Sequence, residues 1–204
     1  MTRHKVFISY HHELDEEYKI KLLQINNQYS IFIDNSVNTG DIDPNLNDEN
    51  IRVAIRDKYL RDSTVTILLA GNETARRKHI DWELYSSMYD GSINKKSGIL
   101  VIALPTVINY GNVIVAHGDD EKTNVYPDIP KWKTLGDRKQ IENRYPYLPM
   151  RIIDQLVAND VKVSVTTWEY IQDAAKLRYL IDLAHKSRQS NQYDLSRPLM
   201  RENR

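Results

Sequence analysis

Glu83 stands four residues after His79 and one after Trp82, on a stretch where Ile80, Leu84 and Met88 recur at helical spacing. Those three apolar residues set a core face. They place His79 and Glu83 together on a neighbouring one. A carboxylate beside an indole loses part of its hydration, which raises its pKa and strengthens its hydrogen bonds to a ligand. The competing reading is a solvated i,i+4 His–Glu pair on an exposed helix. On spacing alone, that second reading is the more ordinary.

Two other segments carry chemistry-bearing side chains. Ser9, Tyr10, His11 and His12 directly follow an apolar run. They could contact a ligand, or they could be turn and cap residues for a helix beginning near Glu13. A metal site from the two histidines with Glu13 or Asp15 lacks the defined helical spacing of catalytic zinc. The acidic loop over residues 34–43 does not space its oxygen ligands as a calcium loop does. No dinucleotide fingerprint, phosphate-binding P-loop or Gly-x-Ser-x-Gly elbow occurs. His117 to Glu121 could bind a cation, although a solvated acidic loop is more ordinary. Tyr145 to Pro149 reads as packing and turn chemistry.

The elements that must position these residues follow from the hydrophobic pattern. Residues 6–10, 30–33, 65–70, 98–104 and 161–165 form five apolar runs, each expected as a strand. Helical spacing joins Leu14, Tyr18, Leu22 and Ile25. It recurs over residues 48–59 through Ile51, Ala54, Ile55 and Tyr59, and predicts a continuous helix over 74–89. A short helix holds Ile152 to Val157. Thr166 and Glu169 fit a capping box for a last helix containing Ile171, Leu177, Ile181 and Ala184. Alternating strands and helices predict an α/β, flavodoxin-like three-layer domain over residues 1–186 with a central parallel five-stranded sheet. Residues 105–150, rich in Pro, Gly, Asn and Tyr, form an irregular insertion before the last strand. Residues 187–204 are a polar tail expected to be loosely held. In such a sheet, ligands bind beyond the carboxyl ends of the strands. Residues 9–13, 34–47 and 71–83 all emerge there.

Composition narrows the function classes. Of 204 residues, 28 are Lys or Arg and 28 are Asp or Glu, so the net charge is zero and nucleic acid is not the expected partner. Cysteine is absent, which excludes disulfides, thiolate catalysis and Cys-based zinc sites. No apolar run reaches the roughly 20 residues that span a bilayer, so no membrane partner is expected. Met1 to Lys5 lead straight into the first strand without a signal-peptide pattern, and a cytoplasmic protein is expected.

Together these segments resemble the Toll/interleukin-1 receptor (TIR) superfamily. Val6-Phe7-Ile8-Ser9-Tyr10 is similar to its opening strand. Ile31-Phe32-Ile33-Asp34 is similar to its second strand, followed by its long loop. The helix through Arg76 and Glu83 resembles the one carrying its catalytic glutamate. Ser9-Tyr10-His11, Arg76-Arg77, Trp82-Glu83 and the tail Tyr193 to Pro198 are closest to the bacterial ThsB-like group of Thoeris antiphage defence. The resemblance implies cleavage of the nicotinamide–ribose bond of NAD+, with NAD+ as substrate and no cofactor or metal. It implies a cyclic ADP-ribose-type signal that reaches a downstream effector, and TIR–TIR or homo-oligomer assembly. It assigns catalysis to Glu83 and substrate binding to Ser9, Tyr10, His11, Asp34, His79 and Trp82. His79 stands where many TIR enzymes carry Trp, so either Trp82 supplies the aromatic wall or the nicotinamide pocket differs. The alternative is a non-catalytic TIR-like adaptor acting by self-association.

Overall fold

Five strands pair: β1 (Lys5–Ser9), β2 (Ile33–Asp34), β3 (Val65–Ala70), β4 (Gly98–Ala103) and β5 (Ser164–Thr167). In the computed structural model, which describes residues 3–36, 46–47, 49–50, 53–55, 60–91 and 95–203, they form one sheet in the order β2-β1-β3-β4-β5. Every pairing is parallel. Around the sheet lie α1 (Glu16–Tyr29), α2 (Lys78–Met88), α3 (Asp119–Val125), α4 (Arg138–Arg144), α5 (Met150–Val157) and α6 (Ala174–Ser187).

Successive strand side chains point to opposite faces, so the central strands β3 and β4 feed two cores. Ile67, Leu69, Leu100 and Ile102 pack against Leu22 of α1 and Leu177, Ile181 and Ala184 of α6. Leu68, Ala70, Ile99 and Val101 pack against Ile80, Leu84 and Met88 of α2 and Ile152 and Ile153 of α5. The chain is therefore the three-layer α/β domain its pattern predicts. Gly98 lets α6 come this close: a Cβ there would lie 1.9 Å from the Ala184 carbonyl oxygen.

Several element boundaries differ from the pattern, each for a local reason. Leu14 is 58 % exposed and precedes α1. β2 is shorter than expected because Ser30 adopts a left-handed conformation (φ 50°) and caps α1. The Asn26 side chain then takes the amides of Ile31 and Phe32 at 3.0 and 2.8 Å. The helix expected over 74–89 breaks at Arg77, which is extended; a 3-10 turn (Thr74–Arg76) precedes it and α2 follows. Thr166, expected as a helix cap, is buried inside β5. Asp173 caps α6 instead, accepting from the amides of Ala175 and Lys176. Of the helix expected over 48–59, residues 49–50 and 53–55 are helical. Ile51 and Tyr59 lie outside the described residues, as does most of the acidic loop.

The insertion is more ordered than its composition suggests. It holds α3 and α4, and Ile114 bridges to Val165 of β5 in antiparallel fashion.

Candidate active site

β1 ends at Ser9, which is level with Leu68 of β3 and 1 % exposed. α2 crosses the sheet at this edge and brings Glu83, 3 % exposed, over it. The Ser9 hydroxyl donates to Glu83 Oε2 at 2.6 Å. Among the described residues it is the one hydrogen-bond partner of this carboxylate. Burial pushes the Glu83 pKa up to about 7, and the Ser9 bond offsets only part of that rise. The carboxylate is thus held at one oxygen and desolvated.

His11, two residues beyond Ser9 in the chain, is 5 % exposed. Its Nδ1 accepts from the Leu14 amide at 3.2 Å, while Nε2 is buried without a partner. Burial, helped by the charge of Arg77, holds its pKa below the usual histidine value. The ring is therefore neutral at pH 7, with Nδ1 accepting and the proton on Nε2. That N–H is a buried donor awaiting an acceptor. Tyr10 is buried too, but its hydroxyl donates to Glu16 and accepts from Lys19, and its ring stacks on His12 at 4.4 Å. It fixes the start of α1.

Asp15, considered in the sequence only as a metal ligand, is part of the same edge. It is 2 % exposed, and burial raises its pKa to about 6. A Cβ on Gly71 would lie 2.5 Å from both Asp15 carboxylate oxygens, so only glycine admits that carboxylate at the end of β3. Thr74 Oγ1 accepts from the Gly71 amide at 2.8 Å. Asp15 follows His11 by one helical turn, and that spacing is the signal that could have found it.

Three expected site residues lie elsewhere. Trp82 is fully buried with Phe7, Ile55, Leu60 and Leu199, and its indole N–H donates to the Met200 carbonyl at 2.7 Å. One residue is about 100° of helix, enough to turn Trp82 into the core and away from the Glu83 carboxylate. The aromatic wall expected of it is a core contact. His79 is exposed and meets Trp82 edge-on at 5.1 Å. Glu83 is buried against Ser9, so the solvated His–Glu arrangement is overturned. Asp34 is exposed on the edge strand, level with Val6, and its Oδ1 accepts from the Ser36 amide. It is not brought against Glu83. Among the described residues, no three His, Asp or Glu side chains converge to hold a metal ion.

Residues 7–109 match the family model described as "Thoeris protein ThsB, TIR-like domain". The chain belongs to that family. Membership makes it a ThsB-like TIR domain of Thoeris antiphage defence, and the matched span contains Ser9, His11, Asp15, Gly71 and Glu83. No curated protein matches the chain. Among the described residues, no helix is long and apolar enough to cross a membrane.

Beyond the matched span, two features of this ThsB-like chain differ from what its sequence suggests. First, the C-terminal tail is firmly docked on α2, not loosely held. Arg151, fully buried, grips Asp81 of α2 through Nε and Nη2 at 2.7 and 3.0 Å. It also donates to the carbonyls of Arg197 and Pro198. The Met200 amide donates to Asp81 Oδ2, and Leu199 fills the Trp82 core. Polar composition concealed this, because the tail docks largely through its backbone.

Second, the His117–Glu121 segment is pinned at both ends, although Asp119 and Asp120 between them are exposed. Glu121 has no exposure; its Oε2 accepts from Ser164 Oγ and from the amides of Ala116 and His117. His117 contacts Glu121 through Nδ1 and Ser187 Oγ through Nε2. The insertion is thereby locked to β5 and α6.

Proposed function

We propose that this ThsB-like domain cleaves the nicotinamide–ribose bond of NAD+ and releases a cyclic ADP-ribose-type signal in antiphage defence. The observation that carries the proposal is the buried Glu83 carboxylate, held at one oxygen by Ser9 at the carboxyl edge of a parallel sheet.

The chemistry needs little else. Nicotinamide is already cationic in NAD+, so it departs with the bonding pair and no acid is required. Positive charge then develops at the ribose anomeric carbon, as in glycoside hydrolysis. A preorganised carboxylate in a water-poor site stabilises that charge and accepts from the ribose hydroxyls. Glu83 takes this role in its ionised form. Ser9 positions it, and the His11 Nε2 proton is a donor for the substrate. A hydroxyl of the same molecule attacks the cation, forming a C–O bond and losing a proton, which closes the ring. Water in its place gives linear ADP-ribose. The diffusible product is the link to a downstream effector. Assembly with further copies belongs to the same proposal, since β2 is a sheet edge with Ile33 and Asp34 exposed.

Incubation of activated protein with NAD+, followed by chromatography of the products, tests this. Free nicotinamide and a cyclic isomer are expected. Linear ADP-ribose alone would exclude the cyclase, and no nicotinamide release would leave the adaptor.

A further inference from the structure

Glu83 reaches Ser9 only at one angle of roll of α2 about its own axis, since each residue turns about 100° around a helix. The apolar contacts of α2, through Ile80, Leu84 and Met88, are non-directional and fix that angle loosely. Hydrogen bonds are directional, and they surround Glu83 along the helix. Asp81 and Tyr85 lie one turn apart on the side of α2 roughly opposite Glu83, two residues being about 200° of helix. Arg151 spans both. Its Nε and Nη2 donate to the Asp81 carboxylate at 2.7 and 3.0 Å, and its guanidinium carbon lies 5.0 Å from the centre of the Tyr85 ring. The whole arginine is buried. A buried ion pair adds little net stability over apolar packing of the same volume, so the orientation it imposes is the property that sets it apart.

The tail adds to this grip. α2 starts after the extended Arg77, whose side chain makes no cap; Asn203 Oδ1, from the tail, takes the Lys78 amide at 3.0 Å instead. Met200 is bonded twice. Its amide donates to Asp81 Oδ2 at 2.9 Å, and its carbonyl accepts from the Trp82 indole at 2.7 Å. On the sheet side, Ser87, one turn beyond Glu83, meets Thr66 of β3 at 2.8 Å. Ser9 and Thr66 thus hold α2 from the sheet, while Arg151 and Met200 hold it from α5 and the tail.

We propose that Arg151 and the Met200 backbone are positioning groups that fix the roll of α2 and so keep the Glu83 carboxylate on Ser9. That the carboxylate then acts on a ribosyl cation rests on the NAD+ reaction proposed above; the clamp on its position does not. A guanidinium suits the task because its planar fork holds both carboxylate oxygens of Asp81 in one orientation.

Two measurements on the full chain test the clamp. The first follows the Glu83 carboxyl by carbon-13 NMR titration of glutamate-labelled protein, its signal assigned with Glu83→Gln. Trp82→Phe removes the bond to the Met200 carbonyl and keeps a ring in the core. Arg151→Lys keeps the charge and loses the fork. Each should raise the Glu83 midpoint by about half a pH unit, part of what the Ser9 bond contributes. In a Ser9→Ala background neither should move it further, because the bond they act through is gone. The second measurement is turnover. Both variants should lower kcat for NAD+ by about 10- to 100-fold, the cost of misplacing a reacting group by up to about 1 Å, and leave KM unchanged. Folded variants with the wild-type midpoint and kcat would show contacts that only stabilise the fold, and would overturn the clamp. So would equal midpoint shifts with and without Ser9. If Arg151→Lys does not fold, Trp82→Phe decides alone. Midpoint shifts that need Ser9, in a protein that does not cleave NAD+, support the clamp and sink the reaction. NAD+ cleavage with unshifted midpoints sinks the clamp and spares the reaction.

Discussion

The hydroxyl of Ser9 and the carboxylate of Glu83 meet at 2.6 Å, joining the last residue of β1 to the middle of α2. This bond orients the carboxylate and favours its ionised form. Ser9→Ala should therefore shift the rise of activity with pH to a more alkaline midpoint by about one pH unit, the equivalent of one hydrogen bond. Rates of nicotinamide release between pH 6 and 9 report this. An unshifted profile would show that Ser9 does not act on Glu83.

Glu83 itself makes the fold depend on pH. Its folded pKa of about 7 lies above the ordinary glutamate value of 4.5. The folded state therefore binds more protons than the unfolded one between those values, and stability falls as pH rises through that window. Glu83→Gln removes the buried charge and keeps the Ser9 contact. It should stabilise the protein by about 3 kcal/mol at pH 8, with the gain shrinking to nothing below pH 4.5. Urea denaturation at both pH values measures the difference.

The tail should be energetically coupled to α2. Asp81→Ala leaves Arg151 as an uncompensated buried charge and should destabilise by about 3–5 kcal/mol. Leu199→Ala opens the Trp82 core and should cost about 2–4 kcal/mol. Urea midpoints of both variants, and tryptophan fluorescence during unfolding, test the coupling. A Leu199→Ala midpoint equal to wild type would contradict a docked tail.

Two glycines differ in how they resist substitution. At Gly98 the atom in the way is backbone of α6, so Gly98→Ala should fail to give folded protein. At Gly71 it is the Asp15 carboxylate, which can swing aside. Gly71→Ala should fold, lose about 1–3 kcal/mol, and lower activity by disturbing the edge beside His11. Circular dichroism and nicotinamide release on the two variants separate these outcomes.

The sheet was legible because its central strands are buried on both faces and read as unbroken apolar runs, Val65 to Ala70 most clearly. Boundaries were less so, since side chains such as Asn26 and Asp173 took over backbone bonding where hydrophobicity carries no signal. At the site, the pattern brought Ser9, His11 and Glu83 to one edge. It could not tell which side of α2 Trp82 faces, because that depends on Leu199 and Met200, more than a hundred residues away. Nor could it show that Glu121 is buried, because polar sequence looks the same whether its partners are water or Ser164.

The central claim is that Glu83 stabilises a ribosyl cation. Nicotinamide release from NAD+ at pH 8, compared between wild type and Glu83→Gln at equal concentration, tests it most directly. Release by wild type and its loss by at least about a hundredfold in the folded, more stable Glu83→Gln protein are the predicted results, in the range of a lost transition-state electrostatic contact. Equal release by the two proteins, or none by activated wild type, would contradict the account.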